Sequence, residues 1–406
     1  MKVVLGITII SLALATFSSP VTGAAKGLPR LRAEGIRIVD KAGNPVVLRG
    51  INLGGWLLQE MWMCPFVQNP PEGSDYKRIP DHVTLWKTFE QRLGPKDAAA
   101  VERAWRNNWI TEPDLARIKE AGFNHVRIPF LYSVAESASG MEDLRKAVQW
   151  ASDAGLYVIL DMHGTPGSQS NDHTTGSAGR NRYFYDNTMV RHSERVWEKV
   201  AKEFGSNPSV AAFDLINEPS GAPNPATLHL VHNRLYQAVR KAAPDTIVIV
   251  EDGFKGLDTT PHADVANWTN VVYSIHIYHF DAKSPQGHIE NLNNQLPRIK
   301  ELRGYRNAPV YIGEFNIEPH STAETMATYT KTLDDSELSW ALWTYKTVAP
   351  GGPMGFWGLW RDPRPANCVD PFADSAETAI RKMTQYRTEN LEPVSELKDV
   401  FRTSRP

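Results

Sequence analysis

Cysteine is nearly missing from this sequence: 406 residues carry only Cys64 and Cys368. One disulfide is therefore the most the chain can form, and two thiols in so long a chain need not meet. Runs of like charge are missing too, and Lys plus Arg (44) nearly balance Asp plus Glu (46) for a formal net charge of -2. Such a composition gives no nucleic-acid footprint and no polybasic membrane patch, so the expected partner is uncharged or small. No low-complexity linker, fixed-period repeat or break in composition divides the chain, so residues 25–406 are read as one domain. What is plentiful is apolar and aromatic material, 41% and 10% of the residues, enough for a large core.

Long apolar runs are absent apart from the N-terminus, M-K-V-V-L-G-I-T-I-I-S-L-A-L-A-T-F. That run is shorter than the ~20 residues that span a bilayer, and small residues follow it. An early Lys, an apolar stretch and then Gly23 and Ala24 have the layout of a secretory signal peptide over residues 1–24. The protein is thus expected to be secreted, extracellular or periplasmic, as a monomer with no stable membrane association.

A rhythm runs through the rest: a short β-branched and aromatic run, a polar loop, then an amphipathic stretch. I-R-I-V-D and V-V-L-R-G-I-N-L, joined by K-A-G-N-P, predict an N-terminal β-hairpin leading into the first strand. Further strands are predicted at 123–130, 156–164, 210–219, 246–253, 271–278, 309–316 and 338–346. Stretches such as E-P-D-L-A-R-I-K-E-A-G return apolar residues every three or four positions and end on Gly, as helices do. Eight strands alternating with helices predict an α/β fold, the (β/α)8 or TIM barrel. An open doubly wound sheet would carry a Gly-rich phosphate loop after its first strand, and L-G-G-W lacks that pattern.

Barrel active sites lie at the C-terminal ends of the strands, and polar residues gather there. The strands in order supply Asn52, Arg127, His163, Asn217 with Glu218, then His276 with Tyr278, Glu314 and Trp343. Glu218 and Glu314 each follow a nearly unbroken apolar strand, where a charge needs a reason. Two carboxylates on one rim suit hydrolysis of a glycosidic bond, one protonating the leaving oxygen and the other attacking the anomeric carbon. Trp56, Trp62, Phe66, Phe356, Trp357 and Trp360 are candidate sugar platforms or core residues, since a pyranose offers C–H groups to a π face.

N-E-P at 217–219, I-G-E-F at 312–315, H-V-R-I-P at 125–129, D-M-H-G at 161–164 and H-I-Y at 276–278 resemble glycoside hydrolase family 5, retaining β-glycosidases of the cellulase type. The likeness runs in order from about Leu48 to Trp360. It implies that Glu218 is the acid/base and Glu314 the nucleophile. It also implies that Asn217 holds the sugar 2-hydroxyl, that Arg127 and Tyr278 contact Glu314, and that His163 and His276 line the subsite floored by Trp343. R-G-I-N-L-G-G-W and H-G-T-P-G-S-Q-S resemble the branch of fungal exo-β-1,3-glucanases and bacterial β-glucanases. The expected partner is thus a β-linked oligo- or polysaccharide, with no cofactor and no metal. L-L-Q-E-M-W-M-C-P-F, I-H-I-Y-H-F and G-E-F-N depart from that branch and leave linkage and exo or endo action open.

Cys64 follows strand one and Cys368 follows strand eight, neighbours in a closed barrel, so a disulfide joining the two loops is expected. Asn267-Trp268-Thr269 is a glycosylation acceptor if the host glycosylates. Three other functions stay open: a family-5 hydrolase of mannan or of an aryl or lipid glucoside, a metal-dependent hydrolase using His163, His173, His276 and His279, and a non-catalytic glycan-binding barrel.

Overall fold

The computed structural model describes residues 27–253, 257–350, 352, 355–364 and 367–402. The expected signal peptide lies outside the described residues. Eight strands close a barrel: β1 (Arg49–Asn52), β2 (His125–Leu131), β3 (Tyr157–Gly164), β4 (Val210–Asp214), β5 (Ile247–Glu251), β6 (Val271–Ile277), β7 (Val310–Phe315) and β8 (Ser339–Leu342). Every neighbouring pair is parallel, including β8 with β1. The predicted (β/α)8 barrel is therefore the fold.

Local chemistry explains the helices that wrap it. Thr111 and Asp114 form a capping box at the start of Glu112–Glu120, whose Leu115 and Ile118 face the core. Asp186 caps Asn187–Phe204 by accepting from the Thr188 amide, and Val190, Val196, Trp197, Val200 and Phe204 form its buried stripe. Asn224 and Ser284 cap Pro225–Ala242 and Pro285–Arg306, with Pro at the first helical position of each.

The hairpin is present, formed one strand earlier than predicted. Arg32–Glu34 pairs antiparallel with Arg37–Val39, and K-A-G-N-P only returns the chain through a single bridge, Val39 to Pro45. Its role is to plug the N-terminal end of the barrel. Leu31, Ile38 and Leu48 pack in one cluster with Tyr157, Ile159, Ile247, Ile249 and Tyr311. Polar ties fasten it there: Tyr157 donates to the Pro29 carbonyl at 2.9 Å, and the Ala33 amide donates to Asn270 Oδ1 at 2.7 Å.

Just above that plug, His125 lies inside the barrel, fully buried, 3.0 Å from the Tyr311 hydroxyl. Burial lowers its pKa to about 3, so it stays neutral. It fits because residue 50 has no side chain, and a Cβ there would meet the imidazole at 2.2 Å. Gly50→Ala is expected to cost about 3 kcal/mol of stability through this overlap, measured as a lowered urea midpoint.

The loops after β1 and β8 do lie side by side. Phe66 bridges Val369, with the Val67 amide donating to the Val369 carbonyl at 3.0 Å. The expected disulfide is nevertheless a correction, because both cysteines are free thiols. Cys64 Sγ is fully buried and turned toward the Gly55 carbonyl at 3.9 Å, whereas Cys368 is only half-buried. Packing under the first loop, not loop adjacency, sets where that sulfur points. Among the described residues no helix is long and apolar enough to cross a membrane.

Candidate active site

At the C-terminal mouth of the barrel lies a cavity of about 430 Å³, with Glu218, Glu314, His163, Tyr278, Trp343 and Trp357 in its lining. Its floor is built around Arg127, which is fully buried in the middle of β2. The guanidinium reaches carboxylates on four other strands: Asp161 at 3.1 Å, Asp214 at 3.0 Å, Glu251 at 3.4 Å and Glu314 at 2.9 Å. It also donates to Asn217 Oδ1 at 2.9 Å and Asn52 Oδ1 at 3.1 Å. A charge buried this deeply is tolerable because it is paired and hydrogen-bonded throughout.

Glu314 is held from two sides. Arg127 Nη1 donates to Oε1 at 2.9 Å and the Tyr278 hydroxyl donates to Oε2 at 2.8 Å. Burial pushes the Glu314 pKa up, while His276 and Arg127 pull it back. Burial and the nearby carboxylates raise Tyr278 well above its ordinary value, so its hydroxyl stays a donor.

Strand β4 ends at Asp214, and Glu218 follows in the N-E-P turn beyond it, with φ at +42°. The residue before a proline is normally driven to extended backbone, so a positive φ at Glu218 is strained, at a cost of roughly 1–3 kcal/mol. Two contacts hold the turn. Gln169 Nε2 donates to the Asn217 carbonyl at 2.9 Å, and the Glu218 amide donates to Glu251 Oε2 at 2.7 Å. His276 Nδ1 lies 2.9 Å from Glu218 Oε1 and 3.5 Å from Glu314 Oε2. Carboxylate oxygens of Glu218 and Glu314 come within 4.8 Å of each other, with His276 between them. The Glu218 side chain is 37% exposed and that of Glu314 only 6%. Of the two, Glu218 is the one open to a leaving group or to water.

Residues 86–348 match the cellulase family, glycosyl hydrolase family 5. The chain belongs to that family. It is 31% identical over 314 residues to the probable glucan 1,3-beta-glucosidase A of Neosartorya fischeri, covering 73% of this chain and 71% of that one. It is 28% identical over 393 residues to the probable glucan 1,3-beta-glucosidase A of Aspergillus fumigatus, covering 82% and 91%. The solved structure of rutinosidase from Aspergillus niger shares the fold with a TM-score of 0.57 at 20% identity, over 75% of this chain and 91% of that one.

In this family 5 hydrolase, most of the residues expected at the strand ends converge. His163 is stacked on Trp343 at 5.4 Å between ring centroids and held by Asp161 at 2.7 Å. Burial lowers the His163 pKa. Asn52 lies beneath the site, tying Arg127 to the Gly313 and Leu342 carbonyls. Trp357 lines the cavity and meets Trp62 edge to face at 4.9 Å.

Trp56 is a correction: it is a core residue, buried, with Nε1 donating to the Arg106 carbonyl at 2.8 Å. Phe66 is likewise core, packed on Trp105. Trp360 is half-buried in a second cavity, under the Arg117 guanidinium. Of the four histidines considered for a metal, His279 turns to the Gly287 carbonyl at 3.2 Å, away from the others. Glu218, His276 and Glu314 are close enough to hold an ion, but their ring and carboxylate atoms already pair with one another.

The residues that sequence reasoning missed are mostly acids. Asp161, Asp214 and Glu251 surround Arg127, and Glu60 lines the cavity from the loop after β1. Burial raises Asp161 to about 7 and Glu60 to about 7. Asp161, Asp214 and Glu251 lie toward the ends of their strands as Glu314 does, so the rule applied to Glu314 would have found them. Glu60 sits in a loop without periodicity and gave no such signal.

Proposed function

We propose that this hydrolase cleaves β-glucan with retention of configuration, by double displacement. Glu314 attacks the anomeric carbon while Glu218 gives its proton to the leaving oxygen. The glycosyl–Glu314 ester is then attacked by water, whose proton passes to Glu218. Asn217, at the sugar 2-hydroxyl, strengthens its hydrogen bond as the transition state forms. The reading is carried by the spacing of the two acids, within 4.8 Å. Inverting enzymes hold theirs about 6.5–9.5 Å apart to admit a water.

Glucose as the sugar is supported by the names of the two glucosidase relatives and by aromatic walls suited to a pyranose, Trp62, Trp343 and Trp357. Secretion as a monomer without membrane association belongs to the same proposal. The test is product analysis on β-1,3-, β-1,4- and β-1,6-glucans, mannan and xylan, with proton NMR in the first minutes of reaction. A glucan should be cut and the β-anomer should appear first. Initial release of the α-anomer, or hydrolysis of mannan or xylan alone, would overturn the proposal.

A further inference from the structure

Glu251 does not line the cavity, yet it holds the backbone of the acid/base and stands beside the histidine that contacts its carboxyl. Its Oε2 accepts the Glu218 amide at 2.7 Å, and its Oε1 stands 3.0 Å from His276 Nε2. The other ring nitrogen of His276 holds the Glu218 carboxyl at 2.9 Å. We propose that Glu251 is a positioning residue that fixes both the place and the charge of His276, and through it the Glu218 carboxyl. The inference rests on Glu218 and Glu314 acting as acid/base and nucleophile.

During the first step one negative charge changes place. It leaves Glu314 as the glycosyl ester forms, and it appears on Glu218 as the proton goes to the leaving oxygen. His276 Nδ1 spans the two, at 2.9 and 3.5 Å, so a permanent imidazolium serves both states without moving. Burial disfavours that cation, but Glu251, Glu314 and Glu218 together raise the His276 pKa well above its ordinary value. Asp161 and Asp214 face it from β3 and β4, and Arg127 opposes them from β2. Burial likewise opposes Glu251, yet His276 and Arg127 hold it below the usual carboxylate range.

Glu251→Gln should lower kcat on a glucan about 100-fold with KM nearly unchanged, within the usual range for a lost proton-transfer geometry. The acidic limb of the kcat/KM bell should move to higher pH, since a neutral imidazole no longer favours the ionised form of Glu314. Glu251→Asp keeps the charge and should leave that limb in place. Nitrogen-15 NMR of the histidines, with the signal assigned by its loss in His276→Asn, should show an imidazolium across the wild-type bell. An acidic limb that stays put or moves to lower pH in Glu251→Gln, or a neutral His276 in the wild type at pH 7, would overturn the inference. Should the Gln variant fail to fold, the wild-type NMR titration still decides. Failure of the underlying catalytic assignment would show separately, as retained activity in variants of Glu218 or Glu314.

Discussion

Glu314→Ala is expected to lower turnover of glucan by about 10⁴-fold or more, equivalent to at least ~5.5 kcal/mol of barrier. The side chain is the group aimed by Arg127 and Tyr278, at 2.9 and 2.8 Å, and its loss removes the attacking oxygen. The fold should survive, because Arg127 keeps Asp161, Asp214 and Glu251 as partners. Circular dichroism should therefore show a cooperative melt near that of the wild type. Azide, small enough to enter the space left by the carboxylate, should partly restore cleavage of an activated aryl glycoside and give the α-glycosyl azide. Near-normal turnover in this variant would end the nucleophile assignment.

Glu218→Ala should behave differently according to the leaving group. On glucan, which needs a proton on the departing oxygen, the rate should fall by about 10³–10⁴-fold, toward the upper end of what general acid catalysis contributes. On an aryl glycoside whose phenolate leaves unaided, the first step should persist and the glycosyl-enzyme should accumulate as a burst. Water then lacks its base, whereas azide needs none, so azide should restore turnover and yield the β-glycosyl azide. Opposite anomers from the two variants would separate the roles of the two acids. Equal loss on both classes of substrate, with no azide effect, would contradict the acid/base role.

Much of this site is legible in the amino-acid order because barrel strands announce themselves. β-branched runs end where polar residues begin, and parallel strands place those ends on one rim. Boundaries are less legible. The predicted strand 210–219 stops at Asp214, because N-E-P leaves the sheet with Glu218 at a positive φ. The predicted strand 338–346 stops at Leu342, and Lys346–Thr347 pairs instead with Trp360–Arg361 in a small separate sheet. Trp56 and Trp62 lie in one loop, and nothing in their order says that one faces a helix and the other the cavity. The sulfur directions of Cys64 and Cys368 are hidden for the same reason, since loop side chains are aimed by packing that no periodicity encodes.

The stopper formed by Leu31, Ile38 and Leu48 occupies the end of the barrel opposite the catalytic mouth. Durability and chemistry are thus assigned to different poles of the molecule. A chain anchored to a solid support at Leu28 would stand with its mouth facing the liquid, free to meet polymer, while the attachment point adjoined the seal.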